Sequence, residues 1–238
     1  MQALQSLSLP VDGAGTRPFY HRGTPADLGV VRQIFQSEDY SLGRLRRGPE
    51  LRAIYEALAG GGRRPLIMDA GANIGASVVY FNLVFPGAHI LALEPAKNNF
   101  EILERNVFEI DVDARCAAIG AHFGEVVLTD PGEGEWGYRT VATGTGDRVP
   151  ILAAFGLVSE KRAQGFEPFI AKIDIEGGEE ELFARDTAWV DEFPLLIIEL
   201  HDWLLPRSAN SSNFLKCIAA RNRDFVYIGE NVFSILNE

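Results

Sequence analysis

Short apolar runs alternate with helix-like hydrophobic periodicity from residue 65 to the end of the chain. This alternation predicts strand–helix–strand units, which form parallel sheets. The predicted strands are 66–68, 89–93, 113–117, 169–175 and 195–200. The predicted helices are 75–85, 97–108, 179–184 and 214–221. The strand at 195–200 begins with a continuous apolar run over 195–198, as expected for a strand that is covered on both faces.

Two predicted hairpins complete this pattern. Residues 225–228 and 232–236 flank a tight Gly229-Glu230-Asn231 turn, which predicts an antiparallel pair. Residues 126–128 and 139–142 are predicted to pair around a glycine-rich loop, and 149–157 are weakly helical. The sequence therefore predicts an α/β, Rossmann-like fold: a mostly parallel seven-stranded sheet with an antiparallel C-terminal hairpin and helices on both faces.

The beginning of the chain has a different pattern. Residues 1–27 are rich in glycine and proline and predict an irregular lead-in, whereas 28–40 and 50–59 have helical periodicity. We expect residues 1–60 to form an irregular and helical N-terminal cap. Residues 61–238 then form the main domain.

Composition and charge narrow the class of protein. The net charge of −11 disfavours a nucleic-acid partner, because such binding needs Lys and Arg to neutralise phosphates. The arginines at 44, 46, 47, 52, 63 and 64 are interpreted as a solvated face. No apolar run reaches 18 residues, so no membrane partner is expected, and the start of the chain has no basic secretory n-region. Cys116 and Cys217 suit free thiols in a cytoplasmic protein.

A glycine-rich turn, Asp69-Ala70-Gly71-Ala72-Asn73-Ile74-Gly75, lies between a predicted strand and a predicted helix. Such a turn lets a ligand approach the backbone and points amide groups at an anionic group. The spacing from Gly71 to Gly75 is not the dinucleotide pattern, so a pyrophosphate ligand is disfavoured. Asn73 can adopt the left-handed conformation and offers an amide to an amino-acid-like ligand. The alternative is a turn that serves only close helix packing.

Glu94 and Pro95 follow the second predicted strand. An acid about twenty residues beyond a glycine turn commonly accepts hydrogen bonds from ribose hydroxyls. An acidic residue here argues against a ligand that carries a 2′-phosphate. The sequence predicts a nucleoside at this position.

Two further strand ends carry acids. The run Lys172-Ile173-Asp174-Ile175-Glu176 closes one strand, so Asp174 and Glu176 are expected to point into the crevice. Glu179 and Glu180 are interpreted as complements of a helix dipole. Alternation places Glu199 and His201 on one face of the next strand, where His201 is a candidate base. The other histidines, at 21, 89 and 122, have no such setting.

These motifs together resemble the FkbM family of S-adenosylmethionine-dependent methyltransferases, within the class I methyltransferase fold. The resemblance covers about residues 66–203. It rests on 69–75, Glu94-Pro95, Ala118-Ile119-Gly120 with Gly124-Glu125-Val126, 172–177 and 198–201. It implies that S-adenosyl-L-methionine is the cofactor, with its methionine part near the glycine turn, its ribose at Glu94 and its adenine at Ala118 and Ile119. The residues expected at this cofactor are Asp69, Gly71, Ala72, Asn73, Gly75, Ser77, Glu94, Pro95, Ala118, Ile119 and Asp174.

The expected reaction is O-methylation of a small-molecule hydroxyl, in a sugar, a glycoside or a polyketide-type natural product. An alcohol is a poor nucleophile while protonated, so a general base is useful. We predict His201 in this role, with Asp174 or Glu199 as its orienter or substitute. Trp136, Tyr138 and Arg139 form either a lid over the acceptor or an ordinary hairpin tip, and Glu176 is a further candidate for acceptor binding.

Three alternatives stay open from the sequence. Asp174, Glu199 and His201 could hold a divalent metal such as Mg²⁺ that binds the acceptor oxygen. A nicotinamide-dependent oxidoreductase is weakened by the missing dinucleotide pattern. A non-catalytic nucleoside-binding module would need the cofactor site without an acceptor.

Overall fold

The computed structural model describes residues 4–10, 16–129, 139–141 and 146–237. The helices are α1 (Pro25–Phe35), α2 (Gly48–Gly60), α3 (Ala76–Val84), α4 (Lys97–Asn106), α5 (Ala154–Ala163), α6 (Glu179–Leu182) and α7 (Ser212–Ala219), with short 3₁₀ turns at Leu42–Arg44 and Thr187–Glu192. The strands are β1 (Gln5–Pro10), β2 (Thr16–His21), β3 (Arg64–Ala70), β4 (His89–Leu93), β5 (Val112–Arg115), β6 (Ala118–Gly120), β7 (Gly124–Thr129), β8 (Arg139–Val141), β9 (Asp147–Ala153), β10 (Phe166–Ile173), β11 (Leu195–Glu199), β12 (Arg223–Ile228) and β13 (Asn231–Leu236). None of the helices described is long and apolar enough to cross a bilayer.

Seven strands form the central sheet, in the order β12-β13-β11-β10-β3-β4-β5. Strands β5, β4, β3, β10 and β11 are parallel, whereas β13 pairs antiparallel with both β11 and β12. This confirms the predicted α/β fold, its seven-stranded sheet and its C-terminal hairpin. The strand order reverses between β3 and β10, and ligands of such sheets bind at this switch point, beyond the carboxyl ends of the strands.

Two apolar layers cover the central sheet. Successive side chains of β3 alternate between them: Leu66 and Met68 pack in one layer, while Ile67 packs in the other. Both layers are fully shielded from solvent at these residues. Each such side chain contributes roughly 1.5–3 kcal/mol by its burial, so the switch point rests on a rigid support.

A second, four-stranded sheet of order β6-β9-β7-β8 lies beyond β5 in the chain. Its antiparallel β7–β8 pair confirms the predicted hairpin of 126–128 with 139–142. The prediction of a helix over 149–157 is wrong in its first half, because residues up to Ala153 belong to β9 and α5 begins at Ala154. The apolar side chain of Val149 packs in a small core of this sheet, and this tertiary contact outweighs a weak helical pattern.

The prediction of an irregular segment over 1–27 is also wrong. Strands β1 and β2 form an antiparallel hairpin, and α1 begins at Pro25 behind the N-cap Thr24. Phe19 is fully buried in the main apolar layer. The side chain of Asn106, on α4, accepts a hydrogen bond from the Tyr20 amide at 2.7 Å and donates to the Ile74 carbonyl at 2.8 Å. This residue therefore ties the N-terminal hairpin to the glycine-rich turn.

Candidate active site

The turn after β3 is held in a conformation that its sequence makes possible. Gly71, Asn73 and Gly75 have positive φ angles of 79°, 49° and 89°, so the expected left-handed conformation of Asn73 is present. A Cβ on Gly71 would lie 1.7 Å from the carbonyl oxygen of Asp174, at the end of β10. Only glycine allows this approach of the two strand ends.

The buried Lys172 holds the glycine-rich turn in place. Lys172 Nζ donates to the Gly71 carbonyl at 2.6 Å and lies 3.2 Å from Asp69 Oδ1 and 3.5 Å from Asp174 Oδ2. Burial alone would lower the pKa of Lys172, but Asp69 and the other anionic neighbours raise it above its ordinary value. Asp69 also accepts a hydrogen bond from Ser77 Oγ at 2.5 Å. Lys172 was not a predicted site residue, and it acts here by positioning the turn.

Glu94 points into the site from the end of β4. Its carboxylate accepts hydrogen bonds from the Asn73 amide at 2.8 Å and the Ala96 amide at 2.9 Å, with Asn99 Nδ2 at 3.4 Å. Burial raises the pKa of Glu94 to about 7 despite these donors. The charge on this carboxylate is therefore sensitive to pH near neutrality.

Two cavities open at the carboxyl ends of the strands. The Glu94 cavity, of about 70 Å³, is lined by Gly71, Asn73, Leu93, Glu94, Pro95, Asn99, Ala117, Ala118, Ile119, Asp174, Ile175, Glu176 and Gly178. The Glu199 cavity, of about 510 Å³, is lined by Val30, Gln33, Ile34, Asp39, Tyr40, Gly71, Ala72, Asn73, Ser77, Lys172, Asp174, Glu176, Glu199, Trp203, Leu204, Glu230 and Asn231. The cavities share Gly71, Asn73, Asp174 and Glu176, so an elongated ligand could reach from one into the other.

Two carbonyl oxygens in this region have no hydrogen-bond partner within the described part of the chain. They are Asn73 Oδ1 and Asn99 Oδ1, and both are shielded from solvent. Buried polar atoms are nearly always paired, so these two oxygens are free to accept hydrogen bonds from a ligand or from an ordered water. Asn99 was not a predicted site residue, and nothing in the sequence alone identified it as part of the site.

The segment from α1 to Tyr40 forms one wall of the Glu199 cavity. Tyr40 stacks on Phe81 of α3, with ring centroids 5.7 Å apart. This contact holds the segment around Tyr40 beside the switch point of the sheet. No motif in residues 1–60 indicated that role.

His201 is buried behind the cavities rather than exposed in them. Its Nδ1 atom lies 2.5 Å from Glu179 Oε1, and Asn210 donates to the other oxygen of the same carboxylate. Glu179 is itself fully buried. Glu179 lies in the first turn of α6, as its interpretation as a helix-dipole complement requires, and its enclosed carboxylate also pairs with an imidazole.

The carboxylates in front of His201 separate it from the ligand space. His201 Nε2 lies 3.6 Å from both Asp174 Oδ1 and Glu199 Oε1, and 3.8 Å from Glu176 Oε2. Burial lowers the pKa of His201, but the Glu179 hydrogen bond and the surrounding carboxylates raise it to about 9. A protonated, 1% exposed imidazole cannot take a proton from an acceptor, so the structure does not favour His201 as the base.

The same strand ends bring together a set of metal-type ligands. Asp174, Glu176 and His201 each offer one atom, and these atoms lie within 4.8 Å of one another. The set differs from the predicted one, in which Glu199 took the place of Glu176. Clusters of this kind also occur without an ion.

The other expected site residues divide between the two cavities. Pro95, Ala118 and Ile119 line the Glu94 cavity, whereas Ala72 and Ser77 line the Glu199 cavity. Asp69, Gly75 and His201 are not among the described residues that line either one. Trp136 and Tyr138 lie outside the described residues, and Arg139 is described only as the first residue of β8.

Comparisons with known proteins add limited information. No protein-family model matches the chain. Over 43 residues, 18% of this chain, the sequence is 49% identical to methyltransferase sdnD of Sordaria araneosa, and the match spans 17% of that protein.

Two solved structures are similar at low identity. The O-methyltransferase from Bacillus cereus in complex with SAH is 11% identical, with a TM-score of 0.46 over 90% of this chain and 92% of that chain. A structure of WbdD is 14% identical, with a TM-score of 0.49 over 90% of this chain and 43% of that chain. Values this low do not assign an activity, so the function has to be argued from the site.

Proposed function

We propose that this protein is an S-adenosylmethionine-dependent O-methyltransferase that acts on a small-molecule hydroxyl. One observation carries the proposal: two cavities of different character meet at Gly71, Asn73 and Asp174, at the switch point of the sheet. Methyl transfer needs such an arrangement, because a nucleoside donor and an acceptor have to meet end to end.

The Glu94 cavity has the chemistry that a sulfonium nucleoside requires. The Glu94 carboxylate can accept hydrogen bonds from two ribose hydroxyls, while Ala118 and Ile119 offer apolar contacts to a flat base. The unpaired Asn73 carbonyl oxygen suits the ammonium group of an amino acid. Gly71 lines both cavities without a side chain, which lets a ligand lie close to the backbone.

The acceptor would be activated by carboxylates that reach the Glu199 cavity. When bound, the cofactor would supply an electrophilic methyl carbon to the acceptor oxygen. Asp174 and Glu199 both line this cavity and can take the hydroxyl proton. Burial and the neighbouring Asp174 raise the pKa of Glu199 to about 8, which suits a base near neutral pH. His201 would position these two carboxylates.

The acceptor class in this proposal is a sugar, a glycoside or a polyketide-type alcohol. The acceptor class rests on the resemblance to the FkbM family, and the short match to a methyltransferase of Sordaria araneosa supports only the type of reaction. Both are partial, so assignment to the FkbM family is part of the proposal.

Ligand stabilisation and methyl transfer test this function directly. S-adenosylmethionine is expected to raise the melting temperature, and Glu94→Gln is expected to remove most of that shift. Glu101→Gln, which changes an exposed acid on α4, serves as the control. Incubation with labelled S-adenosylmethionine and a panel of alcohols should then yield a labelled ether. The proposal would be contradicted if S-adenosylmethionine did not change the melting temperature, or if NAD raised it instead.

A metal-assisted variant of this reaction is a second candidate, favoured by the cluster of Asp174, Glu176 and His201. A divalent ion there would need an unprotonated imidazole nitrogen. Chelation followed by Mg²⁺ or Mn²⁺ addition separates the two variants: loss and recovery of turnover would assign the metal, and unchanged turnover would leave the carboxylates as the sole proton acceptors. A non-catalytic nucleoside-binding module would bind the cofactor but would methylate none of the alcohols.

A further inference from the structure

The Glu199 cavity carries more negative charge than the groups around it neutralise. Asp174, Glu176 and Glu230 all line it, and Lys172 is the only lysine or arginine among the described lining residues. Lys172 already pairs with the buried Asp69 at 3.2 Å. His201, behind the wall, pairs with the buried Glu179 at 2.5 Å.

Glu230, in the turn between β12 and β13, is the acid of this cavity that other groups neutralise least. Within the described chain its carboxylate accepts a hydrogen bond only from the neutral Gln33 side chain, at 3.3 Å. By contrast, Arg44 lies 3.3 Å from Asp39 and neutralises that acid of the wall. A neutral or anionic ligand would leave the negative charge of the lining carboxylates unneutralised. A cationic ligand would neutralise part of it.

An independent feature of the same cavity points to a polar ligand. Tyr40 is 8% exposed and lines the cavity, yet its hydroxyl has no hydrogen-bond partner among the described residues. Burial, together with Asp174 and Glu199, raises the pKa of Tyr40 above its ordinary value, so the phenol is neutral and keeps its proton. It can donate to, and accept from, a ligand hydroxyl.

The rim of the cavity adds an aromatic surface. Trp203 lines the opening with 70% of its surface exposed, 6.3 Å from the His201 ring between centroids. An indole face beside carboxylates is a favourable site for an ammonium group. It also suits the apolar face of a sugar ring.

We propose that the methyl acceptor is a cationic amino alcohol, with a protonated amine held by Glu230 and Trp203 and its reacting hydroxyl directed to Tyr40 and Asp174. This inference rests on the proposed function and specifies its substrate class. The protonated amine has no lone pair and is not methylated. The hydroxyl oxygen gains the methyl group, its proton passes to Asp174 or Glu199, and the cofactor leaves as the neutral thioether.

A matched pair of probes tests the charge requirement. Kanamycin carries amines and hydroxyls, and its fully N-acetylated derivative keeps the hydroxyls without the charge. Calorimetric titration of each into the protein saturated with S-adenosylhomocysteine is expected to show at least tenfold tighter binding of kanamycin. Glu230→Gln should weaken kanamycin binding about two- to fivefold, as for other partly exposed charge pairs, and leave the derivative unaffected. Glu56→Gln, an exposed acid on α2, is the matched control.

Several outcomes would overturn the inference. These are equal affinity for the two probes, no binding of kanamycin at all, equal losses in Glu230→Gln and Glu56→Gln, or displacement of kanamycin by equimolar Mg²⁺. Methylation on nitrogen would overturn the role given to the amine. Failure of the proposed function looks different, because S-adenosylhomocysteine would then not bind, whereas kanamycin titrated alone would still report on the acidic cavity.

Discussion

The Glu94 and Glu199 cavities share a border but are built in different ways. The Glu94 cavity is formed by consecutive strand ends, close to the glycine-rich turn, with unpaired amide oxygens in its wall. The Glu199 cavity combines α1, the strand ends, the segment after β11 and the β12–β13 turn, so its side chains come from parts of the chain that are far apart in sequence. This contrast suggests that the first recognises a fixed ligand through local backbone geometry, while the second recognises a variable ligand through assembled side chains.

The largest effect is expected from Gly71→Ala, at a residue that lines both cavities. The new Cβ would overlap the Asp174 carbonyl, and a positive φ of 79° adds strain to any residue with a Cβ. Left-handed strain and overpacking each cost about 1–3 kcal/mol, so we expect the free energy of unfolding to fall by roughly 3–5 kcal/mol. Urea denaturation measures this change.

Gly62→Ala is the matched control for this substitution. Gly62 has a similar φ of 74°, but nothing lies within 4 Å of the position that a Cβ would take there. Only the strain of about 1–2 kcal/mol remains at this position. Equal losses at the two positions would show that the contact between the turn and β10 is unimportant.

Glu199→Gln should separate the two cavities. Glu199 lines only the cavity that we propose for the acceptor, so cofactor affinity is expected to stay within about twofold. Turnover should fall by roughly a hundredfold, the usual contribution of a positioned base. Asp174→Asn, at the border, should weaken both. Single-turnover rates and equilibrium cofactor binding give the two readouts. Full activity in Glu199→Gln would leave Asp174 as the proton acceptor.

The sequence predicts the Glu94 cavity much better than the Glu199 cavity. The turn at 69–75 and Glu94 each follow a strand, and strand ends in a parallel sheet meet at one edge, so local patterns suffice for them. Ala118 and Ile119 were expected only from the family resemblance. Asn99 and Lys172 were missed because their roles depend on partners that only the fold supplies, namely an unpaired oxygen and the Gly71 carbonyl.

The Glu199 cavity depends on contacts between segments that are far apart in sequence. Tyr40 reaches the switch point because its ring stacks on Phe81, and Glu230 arrives from a turn almost two hundred residues later. No periodicity in residues 1–40 indicates where that segment docks. The role of His201 could not be predicted from the sequence for the same reason. Whether it can act as a base depends on its exposure and on its contact with Glu179, and neither is visible in the sequence.

The pH dependence of cofactor affinity should sharpen the contrast further. Because burial raises the pKa of Glu94 to about 7, the carboxylate that we propose as the acceptor of the ribose hydroxyl hydrogen bonds is lost as the pH falls below 7. The dissociation constant of S-adenosylhomocysteine should rise by up to about tenfold per pH unit there. Calorimetry at pH 5.5–8.5 measures it, and Glu94→Gln should give a flat profile.

Stability should move in the opposite direction over this range. A Glu whose pKa is raised from 4.5 in the folded state contributes stability at low pH and loses it as the pH rises through about 7. The free chain therefore loses stability from this group while cofactor binding strengthens. A melting temperature of the complex mixes the two effects, so direct binding is the decisive measurement. A pH-independent affinity would remove Glu94 from the nucleoside contacts.

The smallest effect is expected from Asn99→Leu. The informative result is that the free energy of unfolding and the cofactor affinity are expected to respond differently to this substitution. Asn99 is 3% exposed, its Oδ1 is unpaired in the free chain, and its amide makes only a long contact of 3.4 Å to Glu94. An apolar side chain of similar size removes a buried polar atom without a partner, so the free energy of unfolding should be unchanged or rise slightly. Cofactor affinity should fall by about three- to tenfold, the worth of one hydrogen bond. A loss of stability without a loss of affinity would mean that Asn99 supports Glu94 and does not meet the ligand, which would move the nucleoside toward Ala118.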